Sequence, residues 1–168
     1  MSKLHGLFLD RDGVLNVNTH YPHLVEDLYI PDGVFEACTL LKYYQNKIRP
    51  IVVTNQSGVG RGLYTKAECL EFEEHLANEI YIHSGLNIPK ENWYHAWDTA
   101  SPDYKPSPNM ILQGMKDHNL KPKNCVLIGD KQTDVDAAMA AELSLGYLIY
   151  TNNGEHFLEA VMETLLKL

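Results

Sequence analysis

Residues 7–16 read LFLDRDGVLN, and the break between Leu9 and Asp10 decides the fold. Leu7, Phe8 and Leu9 form an apolar run without alternation, the pattern of a strand covered on both faces and hence of a parallel sheet. The run leads straight into Asp10, Arg11, Asp12 and Gly13, so two carboxylates stand one residue apart where a core strand ends. Similar strand-like runs, with the first spanning 4–9, recur at 49–54, 92–97, 124–129 and 145–150. Helical spacing fills the gaps between them. Val34, Ala37, Cys38 and Leu41 share a face within 34–45, and Thr65 with Glu68 makes a capping box for a helix carrying Cys69, Phe72, Leu76 and Ile80. Further helices are predicted at about 108–118, 134–143 and 155–167, the last aligning Leu158, Val161, Met162 and Leu165. Strands alternating with helices predict an α/β fold, a Rossmann-like doubly wound parallel sheet with right-handed crossovers.

The 168 residues fit one domain with a sizeable core, and 45% hydrophobic content describes a globular chain. A formal net charge of −8 argues against a nucleic-acid binder and suits a metal cation better. No apolar run reaches the roughly 18 residues of a membrane span, and the opening MSKLHG has no long apolar region of a signal peptide. No membrane partner and a cytoplasmic location are therefore expected. Cys38, Cys69 and Cys125 are an odd, scattered set inside apolar segments, which reads as packed thiols rather than disulfides.

In open parallel sheets, ligands bind beyond the carboxyl ends of the strands. Four polar loops converge there: Asp10 to Asn16, the TNQSG of Thr54 to Gly58, the KPSP of Lys105 to Pro108, and the GDKQTD of Gly129 to Asp134. Phosphoryl transfer accounts for this set. Asp10 would attack phosphorus, and Asp12, re-aimed by the turn at Gly13, would protonate the leaving oxygen and later activate water. A carboxylate attacking a phosphate dianion needs a cation, and Asp10, Asp130 and a main-chain carbonyl near Asp12 form a hard oxygen site suited to Mg²⁺. Asp134 reads either as a holder of metal-bound water or as a helix cap. Thr54, the Asn55 main-chain N–H and Lys105 would cradle the phosphoryl oxygens. A phospho-receiver module also carries an aspartate at a strand end with a Thr and a Lys, but it has no use for a general acid at Asp12.

DRDGVLN, TNQSGVGRG, KPSPNM and GDKQTDVDAA together resemble the four motifs of the haloacid dehalogenase superfamily of phosphatases, over about residues 4–150. Within it, DRDG followed by TNQSG and RG is similar to the D-glycero-D-manno-heptose 1,7-bisphosphate 7-phosphatases, with the histidinol-phosphatases and other sugar phosphatases as the alternative. The resemblance implies a phosphoric monoester hydrolase, with catalytic Asp10, Asp12, Thr54 and Lys105 and with Asp10, Asp12 and Asp130 around Mg²⁺. It also implies a central first strand, sheet order 3-2-1-4-5, and Lys131 close to the site. About 40 residues separate Asp12 from Thr54 and about 50 separate Asn55 from Lys105, so 1–168 is expected to be one domain, capless or nearly so. Short loops must then meet a small phosphate ester: Asn16, His20 and Tyr21 from the first, Gln56, Ser57 and Arg61 from the second. Arg61, between Gly60 and Gly62, is suited to a second anionic group. Tyr104 stands where the heptose enzymes carry an Arg, and their Cys/His zinc cluster has no counterpart in WYHAWDTASPDYK. No structural zinc is expected, nor any assembly beyond a monomer or weak homo-oligomer.

Overall fold

The computed structural model describes residues 4–168; residues 1–3, part of the stretch read for a targeting signal, lie outside the described residues. Five strands, β1 (His5–Leu9), β2 (Ile48–Asn55), β3 (Trp93–Ala96), β4 (Cys125–Gly129) and β5 (Leu145–Leu148), form one sheet ordered β3-β2-β1-β4-β5. Every pairing is parallel. β1 is central, with Leu9 opposite Val52 on one side and Ile128 on the other.

Alternation along β1 sorts the core into two layers. Leu7 and Leu9 face a cluster with Val52 and Ile128, closed by Val34 and Leu41 of α1 (Val34–Tyr43), Phe72 and Leu76 of α3 (Lys66–Ser84), and Phe157 and Val161 of α6 (Gly154–Leu165). Phe8 points the other way, to Ile51, Val53 and Leu127, under Ile111 of α4 (Asn109–Asp117) and Ala137 of α5 (Gln132–Ala140). Burying each large apolar side chain of β1 is worth about 1.5–3 kcal/mol, which is why Leu7, Phe8 and Leu9 form an unbroken apolar run up to Asp10. The capping box forms as the sequence predicts. Glu68 N–H donates to Thr65 Oγ1 at 3.2 Å, and Thr65 N–H donates to Glu68 Oε2 at 2.7 Å.

The structure adds one helix to the sequence reading and shifts several boundaries by one to three residues, α5 ending at Ala140 rather than 143 and β5 at Leu148 rather than 150. A four-residue helix, α2 (Ser57–Gly60), follows β2 and is too short to show a period. α5 begins at Gln132 rather than 134, because Asp134 lies in its first turn and accepts the Lys131 main-chain N–H at 3.0 Å. Between Asp10 and Gly33 the chain forms a single 3₁₀ turn, Val25–Asp27, and no inserted cap. Cys38, Cys69 and Cys125 are buried free thiols. Among the described residues no helix is long and apolar enough to cross a membrane.

Candidate active site

Each rim residue enters at a strand end: Asp10 after β1, Thr54 and Asn55 closing β2, Lys105 in the loop after β3, and Asp130 after β4. Lys105 is the centrepiece, only 2% exposed. Its Nζ donates to Asp10 Oδ1 at 2.8 Å and to the Val53 carbonyl at 2.8 Å, and it pairs with Asp134 Oδ1 at 2.6 Å. Asn55 clamps the lysine's main chain, accepting the Lys105 N–H at 2.9 Å and donating to the Lys105 carbonyl at 3.2 Å. Burial alone would favour a neutral amine, but Asp10 and Asp134 outweigh it and hold Lys105 charged, its pKa above the ordinary value. Asp10 shifts upward because its own burial outweighs the attraction of Lys105, with Asp134 and Asp12 adding repulsion.

Asp10, Asp130 and Asp134 each bring an oxygen within 4.8 Å of the others. Among the described residues they are the only His, Cys, Asp and Glu set of three or more so placed. Asp130 Oδ2 accepts from Thr151 Oγ1 at 2.7 Å, while the buried Oδ1 has no partner. Burial, then the neighbouring Asp10, push Asp130 up to about 6. Three clustered carboxylates against one ammonium leave excess negative charge in a largely buried place, and the donor set is all hard oxygen. That is the chemistry of a divalent-cation site. Gly13, at φ +92°, lies over it: a Cβ there would run into the Asp130 carboxylate.

Asp12 lies apart from this cluster. Its Oδ1 accepts from Arg11 Nε at 2.8 Å and Asn16 Nδ2 at 3.0 Å, and its Oδ2 accepts from Arg11 Nη2 at 3.0 Å and Gln56 Nε2 at 3.0 Å. Gln56 Nε2 also reaches Thr54 Oγ1 at 2.8 Å, tying Asp12 to the hydroxyl that the sequence offers as a phosphate donor. Asn16 and Gln56, read from sequence as substrate contacts, are buried at 0% and 1% exposure with their amides spent on Asp12. The side-chain amide of Asn55 is likewise spent on Lys105. Of the other residues read as substrate contacts, Arg61 and Lys131 are exposed and Tyr21 is half-buried, and the Arg61 guanidinium lies 5.9 Å from the centre of the Tyr21 ring.

Sequence reasoning assigned no functional role to Arg11, Glu73, Tyr64, Thr151 or His95. His95 stacks on Trp97, with ring centres 4.4 Å apart, and its Nε2 meets Glu73 Oε2 at 2.7 Å. One signal was available. Glu73 falls on the Cys69, Phe72, Leu76 face of α3, and a carboxylate on a core face demands a buried cation.

A family model described as HAD-hydrolase-like matches residues 104–156. The chain is 31% identical over 153 residues to the D-glycero-beta-D-manno-heptose-1,7-bisphosphate 7-phosphatase of Helicobacter pylori, covering 90% of this chain and 87% of that protein. It is 31% identical over 151 residues to the alpha-anomer enzyme of Campylobacter jejuni, covering 89% and 84%. Among solved structures, the D,D-heptose 1,7-bisphosphate phosphatase of B. bronchiseptica, complexed with magnesium and phosphate, superposes with a TM-score of 0.85 at 19% identity, over 98% of this chain and 100% of that one.

Proposed function

The chain belongs to the D-glycero-D-manno-heptose-1,7-bisphosphate 7-phosphatases of the haloacid dehalogenase superfamily, and from that premise we propose that it hydrolyses the 7-phosphate of that heptose bisphosphate through an aspartyl-phosphate on Asp10. The observation that carries the reading is the split between two carboxylate environments. Asp10 is gripped by Lys105 within the acidic cluster, while Asp12 is held separately among Arg11, Asn16 and Gln56.

An oxygen of Asp10 attacks phosphorus as the bond from phosphorus to the sugar oxygen breaks, and Asp12 delivers a proton to that oxygen so that it departs as an alcohol. Water then attacks phosphorus and gives its proton to Asp12. The bond to Asp10 breaks, which frees phosphate and restores the carboxylate. Lys105 and Thr54 donate to the phosphoryl oxygens, with the Asn55 main-chain N–H beside them. Asp10 and Asp130, with Asp134 behind them and the Asp12 main-chain carbonyl completing the protein's share, would hold Mg²⁺. The ion supplies the positive charge that lets a carboxylate approach a phosphate dianion. The unpartnered Asp130 Oδ1 supports this fit.

Arg61 and Lys131, the exposed cations of the rim, are proposed to read the rest of the ester, Arg61 taking the second phosphate with Tyr21 beneath it. Every residue invoked comes from one sheet edge, so residues 1–168 are proposed to act as one phosphatase domain. The reading requires no zinc; between Trp93 and Lys105 the only imidazole is His95 and there is no Cys.

A panel of heptose 1,7-bisphosphate in each anomer, histidinol phosphate and p-nitrophenyl phosphate tests the assignment, with released phosphate followed in Mg²⁺. One heptose anomer should exceed histidinol phosphate in kcat/KM by about 10-fold or more, the scale that one extra recognised charge provides. Equal or better turnover of histidinol phosphate would overturn the substrate assignment.

A further inference from the structure

We propose that Glu73 is a positioning residue for the reaction, holding Arg11 so that Arg11 in turn orients the Asp12 carboxylate. The inference rests on the proton-transfer role given to Asp12 above. Arg11 is completely buried, and its guanidinium divides between two acids. The Nε and Nη2 edge faces Asp12 bidentately at 2.8 and 3.0 Å, while Nη1 donates to Glu73 Oε1 at 3.0 Å and to Cys69 Sγ at 3.2 Å. A bidentate pair fixes the carboxylate plane only if the guanidinium is itself fixed.

Glu73 supplies that anchor from α3. It is 5% exposed, and its other oxygen, Oε2, is pinned by His95 at 2.7 Å. The Phe72 ring covers the guanidinium at 4.8 Å, and the Pro22 carbonyl and Gln56 Oε1 take what remains of Nη2, at 3.0 and 3.2 Å. Tyr64 completes the set by donating to Gln56 Oε1 at 2.6 Å. Four donors occupy the two oxygens of Asp12, as many as an ionised carboxylate accepts. To reach a leaving oxygen the carboxylate exchanges one of the single donors, Asn16 or Gln56, and turns about the arginine that Glu73 keeps in place. A buried arginine released from one of its two acids would also be free to follow Asp12, and the proton donor would lose its aim.

Glu73→Ala removes the side chain's contacts with Arg11, His95 and Cys69, and Glu73→Gln keeps a neutral acceptor for Arg11. The readout is kcat/KM, which covers the steps up to departure of the alcohol. On an alkyl phosphate, whose poor leaving group needs the proton, Glu73→Ala should lose about 10-fold or more and Glu73→Gln less, with KM little changed. On p-nitrophenyl phosphate, whose leaving group departs unaided, both should stay within about 3-fold. In an Asp12→Asn background, neither Glu73 change should cost anything further on the alkyl phosphate. Should Glu73→Ala fail to fold, the Gln variant carries the same comparison. Equal losses on both substrates, or an undiminished loss in the Asp12→Asn background, would overturn the inference and mark Glu73 as structural only. If Asp12→Asn itself shows no leaving-group dependence, the role of Asp12 fails first and is recognised by that result alone.

Discussion

Lys105 is proposed to serve twice, in the fold and in the chemistry. Its ammonium lies between Asp10 and Asp134, at 2.8 and 2.6 Å, in a place where an unpaired carboxylate is costly. Removing one member of such a buried set costs about 3–5 kcal/mol, because the charges left behind keep their desolvation penalty without their partner. Lys105→Met, similar in length and apolar, should therefore lower the melting temperature as well as turnover. Loss of a donor to the phosphoryl oxygens should reduce kcat by about 10²-fold or more. Added Mg²⁺ should restore part of the stability, since a cation in the cluster offsets the same repulsion, but not the rate. A variant with unchanged melting temperature would contradict the buried-pair account, and one with unchanged kcat would remove Lys105 from the chemistry.

At the level of elements, α3 does more than cover the sheet, since it brings Glu73 beneath Arg11 while Phe72 and Leu76 seat it in the core. If its seat comes from that face rather than from its end, the exposed capping box adjusts stability and leaves the chemistry alone. Thr65→Ala should cost about 1 kcal/mol, a fall of about 2–4 °C in melting temperature for a chain of this size, with kcat unchanged. A matching loss of kcat would mean that the helix end controls the placement of Glu73. The same elements show what was legible beforehand. β1, the four other strands and the five long helices could be read because period and capping are local properties of the chain. Sequence reasoning also brought Asp10, Asp130 and Lys105 to one rim, since strand ends in such a sheet share an edge. The inward roles of Asn16 and Gln56 were hidden, because a polar side chain in a loop next to the site looks the same whether it meets substrate or another side chain. The Arg11–Glu73 pair spans 62 positions, and only the packing of α3 on the sheet brings it together.

Across the whole molecule, a formal charge of −8 surrounds a site meant for an anion, so attraction must come from a few placed cations rather than from the general field. Lys105 is buried against Asp10, the exposed Arg61 and Lys131 are the cations proposed for the rim, and the acidic cluster has the chemistry of a divalent-ion site. The sheet makes the arrangement economical, because its central strand ends at Asp10 and its two neighbours deliver Thr54 and Asp130 to either side. The central claim, that phosphate passes through Asp10, is tested most directly by quenching the enzyme in acid during turnover of a phosphate ester in Mg²⁺, reducing it with borohydride and sequencing the peptides. An acyl phosphate reduces to the alcohol, so homoserine should appear at position 10 and vanish in Asp10→Asn. Homoserine at another position, or steady turnover by Asp10→Asn, would contradict the account.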